Sequence, residues 1–304
     1  MVNVKTGRRM TSDAIFDTVI LIVLTLVFIV VAYPLYFVII SSFSDPKAVA
    51  GGQVVWYPIG FNLRGYAEVF KNSQVVTGFI NSLIYTTCGT LLNLAVTLPT
   101  AYALSRSDFN GNRFVSIFYL VTMFVSGGMI PTYLVVKGCG MLNTIWALIV
   151  PGALGVYNMI VARTFFKANL PNELLEAAKL DGCSSTRFFF SIALPLSSSI
   201  IAILVLYYGI GHWNSYFSAL LYLSDQEKYP LQLVLRSILV LNEAQLQQGT
   251  ATTAEQLAQQ ERQRQLIELM KYSLIIVSSI PVMIVYPLVQ KHFVKGVMIG
   301  SVKG

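Results

Sequence analysis

The sequence predicts an all-α integral membrane protein with six transmembrane helices. Three observations carry that reading. Several apolar runs are long enough to cross a bilayer, which takes about 20 residues. Only 12% of the 304 residues are charged, while 55% are hydrophobic and the mean hydropathy is +0.65. A soluble domain carries about twice that charged fraction. Lysines and arginines gather mainly between the runs. Helix follows because a lone span in lipid must satisfy its own backbone hydrogen bonds.

The spans fall at residues 14–40, 75–104, 114–136, 142–165, 198–223 and 266–289. The first is too long for a signal-peptide core and no small-residue cleavage site follows, so it reads as a retained span with Pro34 as a kink. Three regions result. Residues 1–74 hold an N-terminal tail, the first span and an outer loop. Residues 75–290 form a core domain of five helices, with an inner loop at 167–197 and an outer loop at 224–265. Residues 291–304 form a C-terminal tail. With the N-terminus inside, twelve of the 21 lysines and arginines fall on inner segments and nine on outer ones. Lys228, Arg236, Arg262 and Arg264 lie in the long outer loop, where charge weighs less. Both termini and the 167–197 loop are therefore expected in the cytoplasm.

That inner loop is soluble-looking sequence between spans. Pro171 reads as the first turn of a helix, with Asn169 or a neighbour as its cap. Leu174, Ala177 and Ala178 share one side at i, i+3 and i+4. Asp181-Gly182 stops the helix, glycine being the cheapest left-handed cap. Ser184 or Ser185 then caps a second short helix through Ile192, ahead of Pro195. Small alanines allow a partner's backbone to come close, and Glu176 offers a carboxylate to a basic group. The bland alternative is an amphipathic helix resting on lipid.

The full block is more specific. Glu176, Ala177, Ala178, Asp181, Gly182, Phe189, Ile192, Leu194 and Pro195 stand at the spacing of the "EAA" motif of ABC-importer permeases, with Cys183 where that family usually has alanine. The chain resembles the MalG-like permease subunits of carbohydrate ABC importers over nearly its whole length. Asn81-Ser82-Leu83-Ile84, Leu98 to Arg106, Trp213-Asn214 and the ending Val294 to Gly304 are similar to that family. Met270-Lys271-Tyr272 through Pro281, with the long loop before it, looks most like its LplC/YtcP branch, which is associated with complex oligosaccharides.

The resemblance implies a type I ABC importer permease fold in a bacterial plasma (inner) membrane. The implied function is carbohydrate import, of oligosaccharide above all. Implied partners are a second, different permease, two cytoplasmic ATPase subunits, an extracellular solute-binding protein, the carbohydrate and membrane lipid. No cofactor is expected on this chain; ATP and magnesium belong to the ATPases, and the chain is not an enzyme. Glu176, Ala177, Ala178, Asp181 and Gly182 are expected to couple to the ATPase. Gly300, Ser301, Val302, Lys303 and Gly304 are expected to reach between the ATPases. The outer loop is expected to enter the binding protein's cleft, its apolar part of Leu231, Leu233, Leu235, Ile238, Leu239 and Leu241 seeking a partner. His212, Trp213 and Asn214 offer an aromatic face and an amide to sugar, against a plain packing role.

Other classes fit less well. A secondary transporter or another polytopic membrane protein is the alternative, but no acid or base sits mid-span. A membrane enzyme would need a catalytic set, and neither HExxH nor paired mid-span acids occur. Gly127-Gly128 and Gly209-Ile210-Gly211 read as close-packing sites between helices, not as a channel filter. The basic residues behind the net charge of +7 lie mainly between spans and set topology, so they do not point to nucleic acid. Cys88, Cys139 and Cys183 have no metal or CxxC spacing, and His212 and His292 lie far apart, so no metal site is expected.

The topology is testable by labelling. An impermeant thiol reagent mapped to Cys183 should react only from the cytoplasmic face, and a cysteine placed at Gln248 only from outside. Labelling of Cys183 in sealed, right-side-out cells would overturn this arrangement.

Overall fold

The computed structural model describes residues 11–241 and 254–301. Every regular element among them is helical. Two compact units form, Met1–Val69 with Gly249–Val277 and Phe70–Gln248 with Ser278–Gly304.

In the first unit, α1 (Thr11–Ser42) is apolar and contains Pro34. Residues 14–31 are exposed throughout, as lipid-facing side chains are. After it, Asp45 Oδ1 accepts from Lys47 N at 2.8 Å and caps α2 (Pro46–Ala50). The Tyr36 hydroxyl donates to Trp56 O. The Phe43 ring stacks on Phe61, and Tyr66 donates to Ser42 Oγ at 2.8 Å from α3 (Arg64–Lys71).

The second unit is built on α4 (Ser73–Ser105), capped by Asn72, whose Oδ1 accepts from Gln74 N and Val75 N. Around it stand α5 (Asn112–Phe124), α6 (Met129–Gly138), α7 (Trp146–Ile149) and α8 (Val156–Asn169). Next come α9 (Asn172–Leu180) and α10 (Ser185–Phe188), then a π-helical turn, Phe189–Ala193. α11 (Leu194–Leu196), α12 (Ser198–Trp213), α13 (Phe217–Tyr222) and α14 (Leu231–Arg236) follow. The last helix, α15 (Ala254–Ser301), passes through both units.

Among the described residues three helices are long and apolar enough to cross a membrane, or up to five if each bent pair counts as one. Three expected spans are therefore not continuous helices. The span at 114–136 is α5 and α6, bent by 115°. Gly127-Gly128 makes that break. Gly128 has φ +86° and open space where a side chain would be, so the pair is a turn and not a packing site. The span at 142–165 is α7 and α8, of four and 14 residues, parted by a stretch with Pro151, Gly152 and Gly155. The span at 198–223 ends as a helix at Trp213 and resumes in α13. Hydropathy registers apolar side chains and is blind to where the backbone turns.

The break before α8 is made tolerable by side chains. Asn93, fully buried in α4, donates to Gly152 O at 2.6 Å and meets His212 Nε2 at 2.6 Å. The Tyr208 hydroxyl accepts from Gly155 N at 3.2 Å and pairs with Thr97 Oγ1 at 2.7 Å. Such substitutes are what lipid demands of an interrupted helix. Gly89 admits the His212 ring; a Cβ there would lie 2.5 Å from Nε2. The close-packing glycine of α12's neighbourhood is thus Gly89. At Gly209 a Cβ would meet only Thr90 Oγ1 at 3.9 Å, and at Gly211 nothing within 4 Å.

Asn93→Ala should leave the Gly152 carbonyl and the His212 ring without this partner. It should destabilise the protein by about 1–3 kcal/mol, read as a lower melting temperature in detergent. An unchanged melting temperature would show that the break does not depend on Asn93.

Candidate functional site

The 167–197 loop is a helix, a tight turn and a second helix, as its residues suggest. The start differs in detail. Asn169 closes α8, donating Nδ2 to Phe165 O at 2.9 Å. Pro171 itself stands at the N-cap of α9, with ψ 151°, and no side chain caps that end. A proline cap removes one of the N–H groups that would need a partner. At the other end Gly182 adopts φ +75°, the left-handed conformation that an L side chain resists. Ser184 then accepts from Arg187 N at 3.3 Å and caps α10.

The two faces of α9 have separate fates. Leu175 and Ala178 are buried and Leu174 is half-buried. They join a core with Leu98, Ala101, Tyr102 and Leu104 of α4 and Met159, Ala162 and Phe166 of α8. Tyr102 is its hub, with ring centroids 5.8 Å from Phe166, 6.3 Å from Phe188 and 5.0 Å from Phe189. Glu176, Ala177, Asp181 and Gly182 are exposed, together with Glu173. Ala177 therefore faces away from the bundle, not with Leu174 and Ala178 as the simple spacing suggested. Leu180, which sequence reasoning missed, is 90% exposed on the side of Glu176 and Ala177. An apolar side chain so exposed on a short polar helix was its available signal.

Charges border this segment. Arg163 Nε donates to Leu104 O at 2.8 Å and its Nη2 to Asn112 Oδ1 at 3.1 Å. Asn112 Nδ2 donates to Leu104 O at 2.7 Å and Arg106 O at 3.0 Å. These bonds satisfy carbonyls that the end of α4 leaves open, and a cation suits that end of the helix dipole. Asp108 lies in the same loop, 3.2 Å from Lys179 Nζ and 3.3 Å from Arg106 Nε. The Lys179 hydrogen bond, then Arg106, hold its carboxyl below the usual carboxylate range. A depressed carboxyl contributes its pairing above its unfolded pKa and loses it only as pH falls through the folded value, so the pair is intact at neutral pH.

The N-terminal half of α4 is stitched to the start of the 224–265 loop. Asn81 Nδ2 donates to Glu227 O at 2.7 Å and Tyr229 O at 3.2 Å; the Tyr85 hydroxyl donates to Lys228 O at 2.9 Å. Leu231 N donates to Ser82 Oγ at 2.8 Å. Asn143, left-handed at φ 58°, accepts from Ser224 N and Asp225 N on Oδ1. Leu231, Leu233 and Ile238 are buried by the chain itself. These three therefore have partners within the chain, Leu235 and Leu239 are half-buried, and the Leu241 side chain lies outside the described residues. Residues 242–253, which hold the expected tip of the loop, lie outside the described residues.

Of the three residues offered to sugar, Trp213 is buried, donating Nε1 to Ser278 O at 3.0 Å with its ring edge-on to Phe79. His212 is engaged by Asn93, and Asn214 is exposed at the end of α12. In the tail, Gly300 and Ser301 fall in the last turn of α15, and Val302, Lys303 and Gly304 lie outside the described residues.

No family model matches the chain. It is 39% identical over 304 residues to the protein LplC of Bacillus subtilis, covering 100% of this chain and 98% of that one. It is 37% identical over 292 residues to YtcP of the same organism, a polygalacturonan/rhamnogalacturonan transport system permease protein, covering 96% and 99%. A crystal structure of a bacterial ABC transporter that imports the acidic polysaccharide alginate contains a chain that superposes with a TM-score of 0.84 at 29% identity, covering 95% of this chain and 100% of that one. The helical bundle, the two-faced α9 and these likenesses over the full length converge: the chain belongs to the permease subunits of carbohydrate ABC importers.

Proposed function

We propose that this chain forms one half of the membrane pathway of an oligosaccharide importer, beside a second, different permease. Two ATPase subunits bind below and carry ATP and magnesium. An extracellular solute-binding protein delivers the sugar from above. Both termini and the α9–α10 segment face the cytoplasm, in line with the distribution of lysine and arginine.

One observation carries the reading. The α9 helix buries Leu175 and Ala178 in its own bundle and leaves Glu176, Ala177 and Leu180 exposed. It is gripped on one side and open on the other, as a part that passes motion from one protein to another must be. Glu176 meets a basic group of the ATPase, Ala177 allows close approach, and Leu180 fills an apolar recess. Asp181 and Gly182 keep the following turn tight. Residues 300–304 reach between the two ATPases, and the tip of the 224–265 loop enters the binding protein. Of His212, Trp213 and Asn214, the exposed Asn214 is the one to meet sugar, since Trp213 is buried and His212 is engaged within the bundle.

An acidic oligosaccharide is the cargo to try first. YtcP is named for polygalacturonan and rhamnogalacturonan, and the structural relative serves alginate.

Gly182→Pro, or Glu176 and Ala177 both changed to tryptophan, should abolish uptake while the protein still inserts. Proline cannot adopt φ +75°, and the bulky pair blocks docking. The ATPases should then fail to copurify, or copurify without driving transport. Normal uptake by either variant at verified expression would show that the segment is not the joint.

A further inference from the structure

The charges at the inner end of α4 form one connected set. The loop between α4 and α5 is pinned before it reaches Asp108, through Asn112 on the carbonyls of Leu104 and Arg106 and through Arg163 on Leu104 O and Asn112 Oδ1. From that fixed base one carboxylate serves two cations. Its Oδ1 accepts from Arg106, whose side chain is only 12% exposed, and its Oδ2 accepts from Lys179 of α9. The bond to Lys179 spans 71 positions of sequence.

We propose that Asp108 is a positioning residue that fixes the roll of α9 about its own axis. This rests on the coupling role given to α9 above. The grip of the bundle on α9 is apolar, through Leu174, Leu175 and Ala178, and apolar contact has no preferred direction. A helix of nine residues resting on so few side chains can roll. Lys179 stands on the flank between the buried Ala178 and the exposed Leu180. Its tether to Asp108 opposes any roll that would turn Glu176 and Leu180 away from a partner. Because Asp108 and Lys179 are half exposed, the pair adds little to stability. Its effect is on the angle of the helix.

The test uses the assembled complex in nanodiscs, with native cysteines replaced by serine and a nitroxide at Glu173→Cys. Asp108→Asn and Lys179→Met should each sharpen the nitroxide spectrum and lower ATP hydrolysis about three- to five-fold, the factor an exposed pair supports. The double variant should be no worse than either single one, and Lys179→Arg should preserve both readouts. Unchanged spectra in the single variants, additive losses in the double, or an equal loss with arginine would each overturn the proposal. Gly182→Pro in the same complex separates the two levels. If it uncouples while Asp108→Asn does not, the brace falls and the coupling role stands. If neither uncouples, the coupling role falls and takes the brace with it.

Discussion

The aromatic cluster centred on Tyr102 is the interaction on which the site depends. Phe166, Phe188 and Phe189 surround that ring, and they come from α8, α10 and the π-helical turn after it. Burying one large apolar side chain is worth about 1.5–3 kcal/mol. Phe188, Phe189 and Leu175 together therefore hold the α9–α10 segment by several kcal/mol. The exposed Asp108–Lys179 pair is worth about 1 kcal/mol at most. Apolar packing thus attaches the segment, and the charges can do no more than orient it.

The second constraint is the one lipid places on the backbone. The chain breaks its helices at 125–128, 150–155 and 214–216, and each break frees peptide groups that water cannot reach in a bilayer. At 150–155 the remedy is visible, with Asn93 on the Gly152 carbonyl and Tyr208 on the Gly155 amide. Both side chains sit on long helices, α4 and α12. α4 therefore does three things along its length: it holds the start of the 224–265 loop, closes the break before α8 and packs the α9–α10 segment at its C-terminal end.

Much of this was legible in the sequence, for identifiable reasons. Long apolar runs gave α1, α4 and α15 because those helices are continuous, and length and composition describe a continuous helix well. The turn at Gly182 and the Ser184 cap were readable because each rests on a local residue with one strong preference. The continuity of the other spans was not, although Gly127-Gly128, Pro151-Gly152 and Gly155 carried the signal. A hydropathy window does not weigh those glycines, and by spacing alone Gly127-Gly128 fits a packing site as well as a turn. The facing of Ala177 differs from the expected one because i, i+3 and i+4 spacing names a stripe without saying where the bundle lies. Asp108, Arg163 and Asn93 act through partners 51–119 positions away, and no local pattern points to such pairs.

The central claim is that one face of α9 belongs to this chain and the other to an ATPase. A photo-crosslinking residue placed at Leu180 in the membrane-assembled transporter tests it most directly. The account predicts a crosslink from position 180 to the ATPase, while the same group at Leu175 crosslinks only within this chain. Crosslinking of position 180 to lipid, or to this chain alone, would contradict it.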